Sequence, residues 1–207
     1  MARQERAEKT RQTIIEAAAE VFDQHGFAGA SVSEILARAG VTKGALYFHF
    51  PSKEAIAEEI EGSEVAALTA LSNASGPFLQ AIIDLSHTMA QALRDSPIVR
   101  ASIRLSIESS FSEPSPGPYL ASIELVRILL LRAQGEGTVR LDLDVDAAAR
   151  FIISSFAGTQ IVSQVFTGRR DLEQRLVELW EFLLPGLAVP GATRDLRLSA
   201  PQPVDVG

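Results

Sequence analysis

Lys43, Gly44, Tyr47, Phe48 and His49 crowd the most concentrated recognition chemistry of this chain into one short segment. A lysine ammonium can pair with a phosphate or a guanine edge, and a tyrosine hydroxyl can donate to phosphate while its ring packs on sugar. A glycine inside a helix costs ~1 kcal/mol against alanine, but its missing Cβ lets a backbone approach a partner closely. At ~100° per residue, Lys43, Gly44 and Tyr47 share one arc, while Ala45, Leu46 and His49 lie on the other side. These are groups for reading a duplex rather than for breaking bonds. The three histidines, His25, His49 and His87, are far apart in sequence. No HExxH, Gly-x-Ser-x-Gly, phosphate-loop or dinucleotide fingerprint occurs. With no cysteine there is neither a thiolate metal site nor a disulfide framework. No catalytic residue, no metal site and no cofactor is expected.

The elements that position those residues follow from caps and breakers. Helical periodicity runs throughout and no segment alternates as a strand does, so the fold class is all-α. A first helix spans about Arg6–His25 on the stripe Ile14, Ile15, Ala18, Val21 and Phe22, and Gly26 stops it. Ser31 opens a capping box with Glu34, Gly40 ends that second helix, and Thr42 caps a third that runs to about His49. The short Ala39–Thr42 connection with its glycine is what a tight helix-turn-helix needs. Ser52 caps a fourth helix extending to about Leu71, followed by a loop over 72–77. Further helices are expected from Pro77 to Arg94, from Ser96–Pro97 onward, up to Ala133 beyond a proline-rich connection at 112–118, and from Asp146 to Thr167. A capping box at Asp171–Gln174 opens the last helix, which ends near Pro185–Gly186. The domains expected are a DNA-binding head at 1–52, a ligand-binding and dimerisation body at 53–188, and a mobile tail at 189–207.

The net charge of -7 is unusual for a nucleic-acid binder, but it is unevenly spread. Residues 1–53 carry seven Lys/Arg against six acids, and the remainder twelve against twenty. The acidity therefore lies outside the reading head, where it turns the wrong side of the molecule away from DNA. The charged N-terminus lacks a signal-peptide core, and the apolar run Phe151–Phe166 is too short and polar to span a membrane. A cytoplasmic protein without a membrane partner is expected.

Residues 1–60 resemble the DNA-binding signature of TetR-type repressors. The match rests on Ala39-Gly40-Val41-Thr42, Gly44, Leu46-Tyr47, His49-Phe50 and Lys53. The chain is most similar to the γ-butyrolactone receptor branch, through Met1–Ala7, Thr10–Ala18, the unbroken Val41–Phe50, and more thinly Ile98–Leu105 and Phe156–Gln164. The resemblance implies a homodimer that holds a palindromic double-stranded operator and is released by a small diffusible signal of the γ-butyrolactone, butenolide or furan type, controlling secondary metabolism. A drug-sensing repressor of an efflux gene is the alternative. One position departs: aligned on Gly117-Pro118-Tyr119, Ser122 stands where the branch usually has a tryptophan.

The DNA-contact set expected is Arg3, Arg6, Ser31, Ser33, Thr42, Lys43, Gly44, Tyr47, Phe48, His49 and Lys53, with Arg3 and Arg6 in a leading arm and Lys53 as a backbone clamp. The effector set expected is Met89, Ser106, Tyr119, Ser122, Phe156, Thr159 and Gln160, polar groups scattered among apolar ones. The dimer surface expected comprises Phe151 and Val162 with Leu172, Leu176, Leu179, Trp180 and Leu183, giving a four-helix isologous interface.

Overall fold

The computed structural model describes residues 2–61, 77–110 and 117–201. Its elements are α1 (Ala2–Gly29), α2 (Val32–Ala39), α3 (Lys43–His49), α4 (through 53–61), α5 (Phe78–Asp95), α6 (Pro97–Ser110), α7 (Gly117–Gly135), α8 (Val145–Thr167) and α9 (Leu172–Leu187). Among the described residues no strand forms; a lone antiparallel bridge joins Val139 to Ala188. The expected end of the fourth helix, the loop over 72–76 and most of the 112–118 connection lie outside the described residues.

The helices gather into two compact units, and the division runs through α5, between Ala92 and Leu93. The first unit holds α1–α4 and also α6. The reason is apolar: Ala101 and Leu105 of α6 are buried in one cluster with Ile14, Ala18, Val21, Phe22, Ile35, Leu46, Phe50, Ile56 and Ile60. Each large side chain of this kind contributes roughly 1.5–3 kcal/mol on burial. α1 packs on α2, α3 and, most extensively, α6.

α1 is longer than its stripe predicts. It is helical from Ala2, so Arg3 and Arg6 ride on a helix rather than on a loose arm. At Gly26 its regular path breaks, with φ 68° and ψ 178°, a conformation that disfavours any side chain, and helical geometry resumes to Gly29. α2 starts on Ser31, whose side chain accepts from the Glu34 N–H at 3.1 Å. The reciprocal half of that box is not made: the Glu34 carboxylate pairs with His25 at 3.2 Å. Gly40, left-handed at φ 65°, turns the chain and returns its N–H to Leu36 O. Thr42 then caps α3 through the Ala45 N–H at 3.2 Å.

The second unit is built on α5, α7, α8 and α9 around Ile82, Ile83, Leu129, Leu130, Ile152, Trp180 and Leu184. α8 begins one residue earlier than expected because Asp144 caps it, accepting from the Ala147 N–H at 2.9 Å. Asp171 does not cap α9. Its carboxylate turns back to accept from Ser163 Oγ (2.5 Å), Thr167 Oγ1 (2.8 Å) and Arg175 Nε (2.8 Å). Those bonds, that to Ser163 foremost, hold its pKa down at about 2.

The tail expected to be mobile is, through residue 201, a strap. Leu196 and Leu198 pack on the core of the second unit. Gln80 of α5 donates to Arg197 O (2.9 Å) and accepts from Arg197 N (2.8 Å), and the Arg197 guanidinium reaches Asp84 at 2.9 Å. Buried His87 hydrogen-bonds both Glu173 (2.5 Å) and the Leu198 carbonyl (2.7 Å). A polar, proline-bearing sequence is thus ordered by satisfied hydrogen bonds rather than by periodic apolar residues.

Candidate nucleic-acid interface

α3 is seven residues long and divides cleanly. Leu46 and, just beyond the helix, Phe50 are buried in the head core, with Ala45 and His49 half-buried beside them. Thr42, Lys43, Gly44, Tyr47 and Phe48 are exposed together on the other side. Phe48 is 79% exposed, an apolar ring presented to solvent next to Tyr47. Its ring meets His49 edge-on at 5.0 Å, which limits the directions it can take. The Lys43 ammonium lies 5.8 Å from the Tyr47 ring, so cation and phenol share one patch.

Gly44 is informative for what surrounds it. A Cβ added there would meet nothing within 4 Å. The packing of the chain itself therefore does not require a glycine at this position. Ser31 and Ser33 are exposed at the start of α2, and Ser31 Oγ already serves its cap. Arg6 is exposed on α1; Arg3 is in its first turn, but its side chain lies outside the described residues.

Lys53 has a different use from the clamp expected. Its Nζ donates to Phe27 O (2.7 Å) and Ala30 O (3.0 Å) and sits 4.2 Å from the Phe27 ring. To reach a phosphate it would have to abandon two carbonyl acceptors. It is a brace tying α4 to the joint between α1 and α2. Arg11, equally half-buried, pairs with Glu59 at 2.7 Å and lies over Phe50 at 5.1 Å; the bond to Glu59 raises its pKa further.

The residues expected around an effector are divided between the two units. Ser106 is buried on α6 and belongs to the first unit, while Met89, Tyr119, Ser122, Phe156, Thr159 and Gln160 belong to the second. Phe156, Thr159 and Gln160 do share a face of α8, by their i, i+3, i+4 spacing. Gln160 is committed: its amide oxygen accepts from Arg169 Nη2 at 3.1 Å. Arg169 holds a left-handed φ of 66°, the sole non-glycine among the described residues to do so.

The expected dimer surface needs correcting. Leu172, Leu176 and Trp180 have no exposed area, and Leu183 is also buried; they form the inner face of α9. Trp180 donates its indole N–H to Ser86 Oγ at 2.9 Å, which satisfies it in place. Leu179 is half-buried against the same core. Phe151 and Val162 are exposed as expected, but Ile161, Val165, Phe166 and the 85% exposed Phe182 accompany them. On α8 the exposed residues from 151 onward are Phe151, Ser154, Gly158, Ile161, Val162, Gln164, Val165 and Phe166, a mostly apolar and small outer face interrupted by Gln164. The interleaved 152, 156, 160, 163 spacing was the available signal for which face turns inward. Phe182 was recoverable too, since it lies off the leucine stripe.

Comparison with known proteins bears on both units. Residues 14–60 match the family described as bacterial regulatory proteins, tetR family, and residues 77–190 match the tetracyclin repressor-like C-terminal domain. The chain is 42% identical over 197 residues to the A-factor receptor protein of Streptomyces griseus, covering 95% of this chain and 70% of that one. It is similar to the crystal structure of a γ-butyrolactone receptor described as ArpA-like (36% identity, TM-score 0.78, covering 92% of this chain and 93% of that one). It is also similar to the TetR family protein CprB from Streptomyces coelicolor in complex with its biological operator sequence (37% identity, TM-score 0.76, covering 91% and 92%).

Proposed function

The chain belongs to the TetR family of bacterial regulatory proteins, and from that premise we propose that it is a homodimeric transcriptional repressor, released from a palindromic operator by a γ-butyrolactone-type signal. The observation that carries this reading is the two-sided α3. Leu46 and Phe50 anchor it in the head, while Lys43, Gly44, Tyr47 and Phe48 present an exposed face with room for a closely approaching duplex. In the major groove Lys43 meets a base edge or phosphate and Tyr47 the sugar-phosphate backbone. Arg3 and Arg6 on α1, with Ser31, Ser33 and Thr42, add backbone contacts that position the head without reading sequence.

A palindrome requires two heads related by a two-fold axis. The apolar outer face of α8, continued by Phe182 of α9, is the surface on which a second copy packs. Two of the named relatives that match along nearly the whole chain are described as an A-factor receptor protein and a γ-butyrolactone receptor, so the efflux-repressor alternative has less behind it. The protein acts in the cytoplasm on genes of secondary metabolism.

The test is a mobility shift on the DNA upstream of the protein's own gene, with random duplex as competitor and a panel of synthetic γ-butyrolactones, butenolides and furans as releasing agents. Binding that random duplex does not displace, and that one of these compounds reverses, is the expected result. Equal affinity for random duplex overturns the repressor. Retention in the presence of every compound overturns the effector class. Sedimentation of Phe166→Asp checks the dimer: a folded monomer is expected, and an unchanged dimer removes this face from the interface.

A further inference from the structure

α5 carries a row of polar side chains that the reading of the body leaves without a use. Gln80, Asp84 and His87 stand at i, i+4 and i+7, one stripe of the helix. Gln80 and Asp84 are half-buried, and His87 is only 2% exposed. All three are engaged by one short segment, residues 196–198, where the chain is neither helix nor turn.

The stripe reads that segment as a peptide. Gln80 meets Arg197 as one amide meets another: its Nε2 donates to Arg197 O at 2.9 Å, and its Oε1 accepts from Arg197 N at 2.8 Å. His87 donates from Nε2 to Leu198 O at 2.7 Å, while Glu173 of α9 holds the ring at Nδ1. Asp84 Oδ1 accepts from Arg197 Nη2 (2.9 Å) and also from Gln80 Nε2 (2.8 Å), which braces the stripe internally. Leu196 and Leu198, on either side of the arginine, pack on the core of this unit. Backbone bonds supply grip, and two apolar seats with one carboxylate supply identity; these are the parts of a peptide-recognition groove. A seal alone would need only the two leucines. Asp84 and Glu173 also make the groove acidic, in a stretch (54–207) that carries twenty acids against twelve arginines. The charge complements a basic segment.

We propose that the α5 stripe, with Glu173 of α9, is a docking groove for an extended segment of a partner protein with the pattern Leu-Arg-Leu, and that residues 196–198 are its tethered resident. The resident is lightly seated. Leu196, Arg197 and Leu198 are half-buried, between exposed residues at 193–195 and 199–201. No helix or strand holds them; the chain reaches them from the end of α9 at Leu187 by way of Pro190 and Gly191, the latter at φ 90°. A partner that brings the same three residues takes the same seats, so the body stays closed while its own tail is let go. The groove selects an arginine between two branched apolar residues and rejects an acid at the centre, where Asp84 stands. The proposal does not depend on operator or effector binding.

The probe is a fluorescently labelled synthetic peptide of residues 193–199, Thr-Arg-Asp-Leu-Arg-Leu-Ser, titrated with the full chain and followed by anisotropy. In wild type the tethered strap competes at an effective concentration of order 1 mM. Arg197→Glu sets a carboxylate against Asp84, which evicts the resident and leaves the groove intact. The peptide is expected to bind this variant at least about tenfold more tightly than wild type. The same peptide carrying Arg197→Glu, and the doubly substituted chain Gln80→Leu/Arg197→Glu, are each expected to bring that binding down about tenfold. Emission from Trp180, the only tryptophan, bonded to Ser86 next to the stripe, checks that each variant is folded. No binding to folded Arg197→Glu overturns the proposal, as does equal binding of the two peptides or full affinity in the Gln80→Leu chain. If unlabelled wild-type chain displaces the probe as well as unlabelled peptide does, the occupant is a second copy of this chain and the partner reading falls. If Arg197→Glu does not fold, amide exchange at Arg197 in wild type decides, because Gln80 holds that N–H only while the strap is seated. Saturating peptide is expected to speed that exchange at least about threefold, and an unchanged rate overturns the proposal.

Discussion

The head and the body solve the same packing problem by different means. In the head, short helices are cross-braced by charge: Lys53 to Phe27 and Ala30, Arg100 and Arg104 to Asp23, Arg11 to Glu59, and Arg38 to Glu20 and Gln24. In the body, longer helices close on an apolar core around Trp180, and the polar bonds gather at its edges, in the Asp171 corner and the Arg197 strap. Helices of seven and eight residues have little stability alone, so the head borrows it from bonds between elements. Such bonds are directional and can be rearranged singly, whereas a core yields only as a whole.

Five substitutions, the last read by a pH titration, probe that contrast, in descending order of expected effect. Trp180→Ala removes the largest fully buried side chain and should destabilise the body by about 3–5 kcal/mol in chemical denaturation. A smaller loss would mean that the body, too, leans on its polar edges. Gly26→Ala places a methyl against Glu108 at positive φ and should cost the head about 3 kcal/mol, seen as faster amide exchange in α2 and α3. Lys53→Met keeps the side-chain length but removes the two carbonyl bonds, for a loss of about 2 kcal/mol. No change in the melting temperature would make the head's charged braces incidental.

Lys43→Ala separates reading from folding. Stability should stay within about 0.5 kcal/mol of wild type while operator binding falls by roughly 1–3 kcal/mol. Parallel losses would place Lys43 among the braces. The smallest effect is in acid. Asp171 has its pKa depressed to about 2 from an ordinary 3.8, so its contribution to stability is present above the ordinary value and drains away as pH falls toward about 2. Asp171→Asn should lack that dependence in a pH series of thermal melts; identical slopes for the two proteins would remove Asp171 from the polar edge.

Legibility in the sequence follows the same division. The α2–α3 turn could be read because its signals are local: Ser31 to Glu34, Gly40 to Leu36 and Thr42 to Ala45 are all within four residues. The inward side of α3 followed from spacing for the same reason. What escaped depends on distance along the chain. Glu108 meets Phe27 and Gln80 meets Arg197 across separations that no periodic pattern records. The α9 stripe was recognised as apolar, but periodicity identifies an apolar face without saying whether its own core or a second copy covers it. Asp171 fits a cap by type and spacing, yet Ser163, Thr167 and Arg175 offer its carboxylate more bonds than one helix N–H would.

The strap carries a consequence for the order in which the protein is made. Every element of the head, α6 included, has been synthesised by Ser110, whereas α5 receives Arg197 and Leu198 last. At roughly 5–20 residues per second, that interval is about 4–17 s. Throughout it Leu79, Ile82 and Ile83 wait on the nascent chain for a core whose closing segment does not yet exist. A message truncated shortly before Leu196 would release a finished reading head on an unsealed body, a product for chaperones and proteases rather than a working sensor.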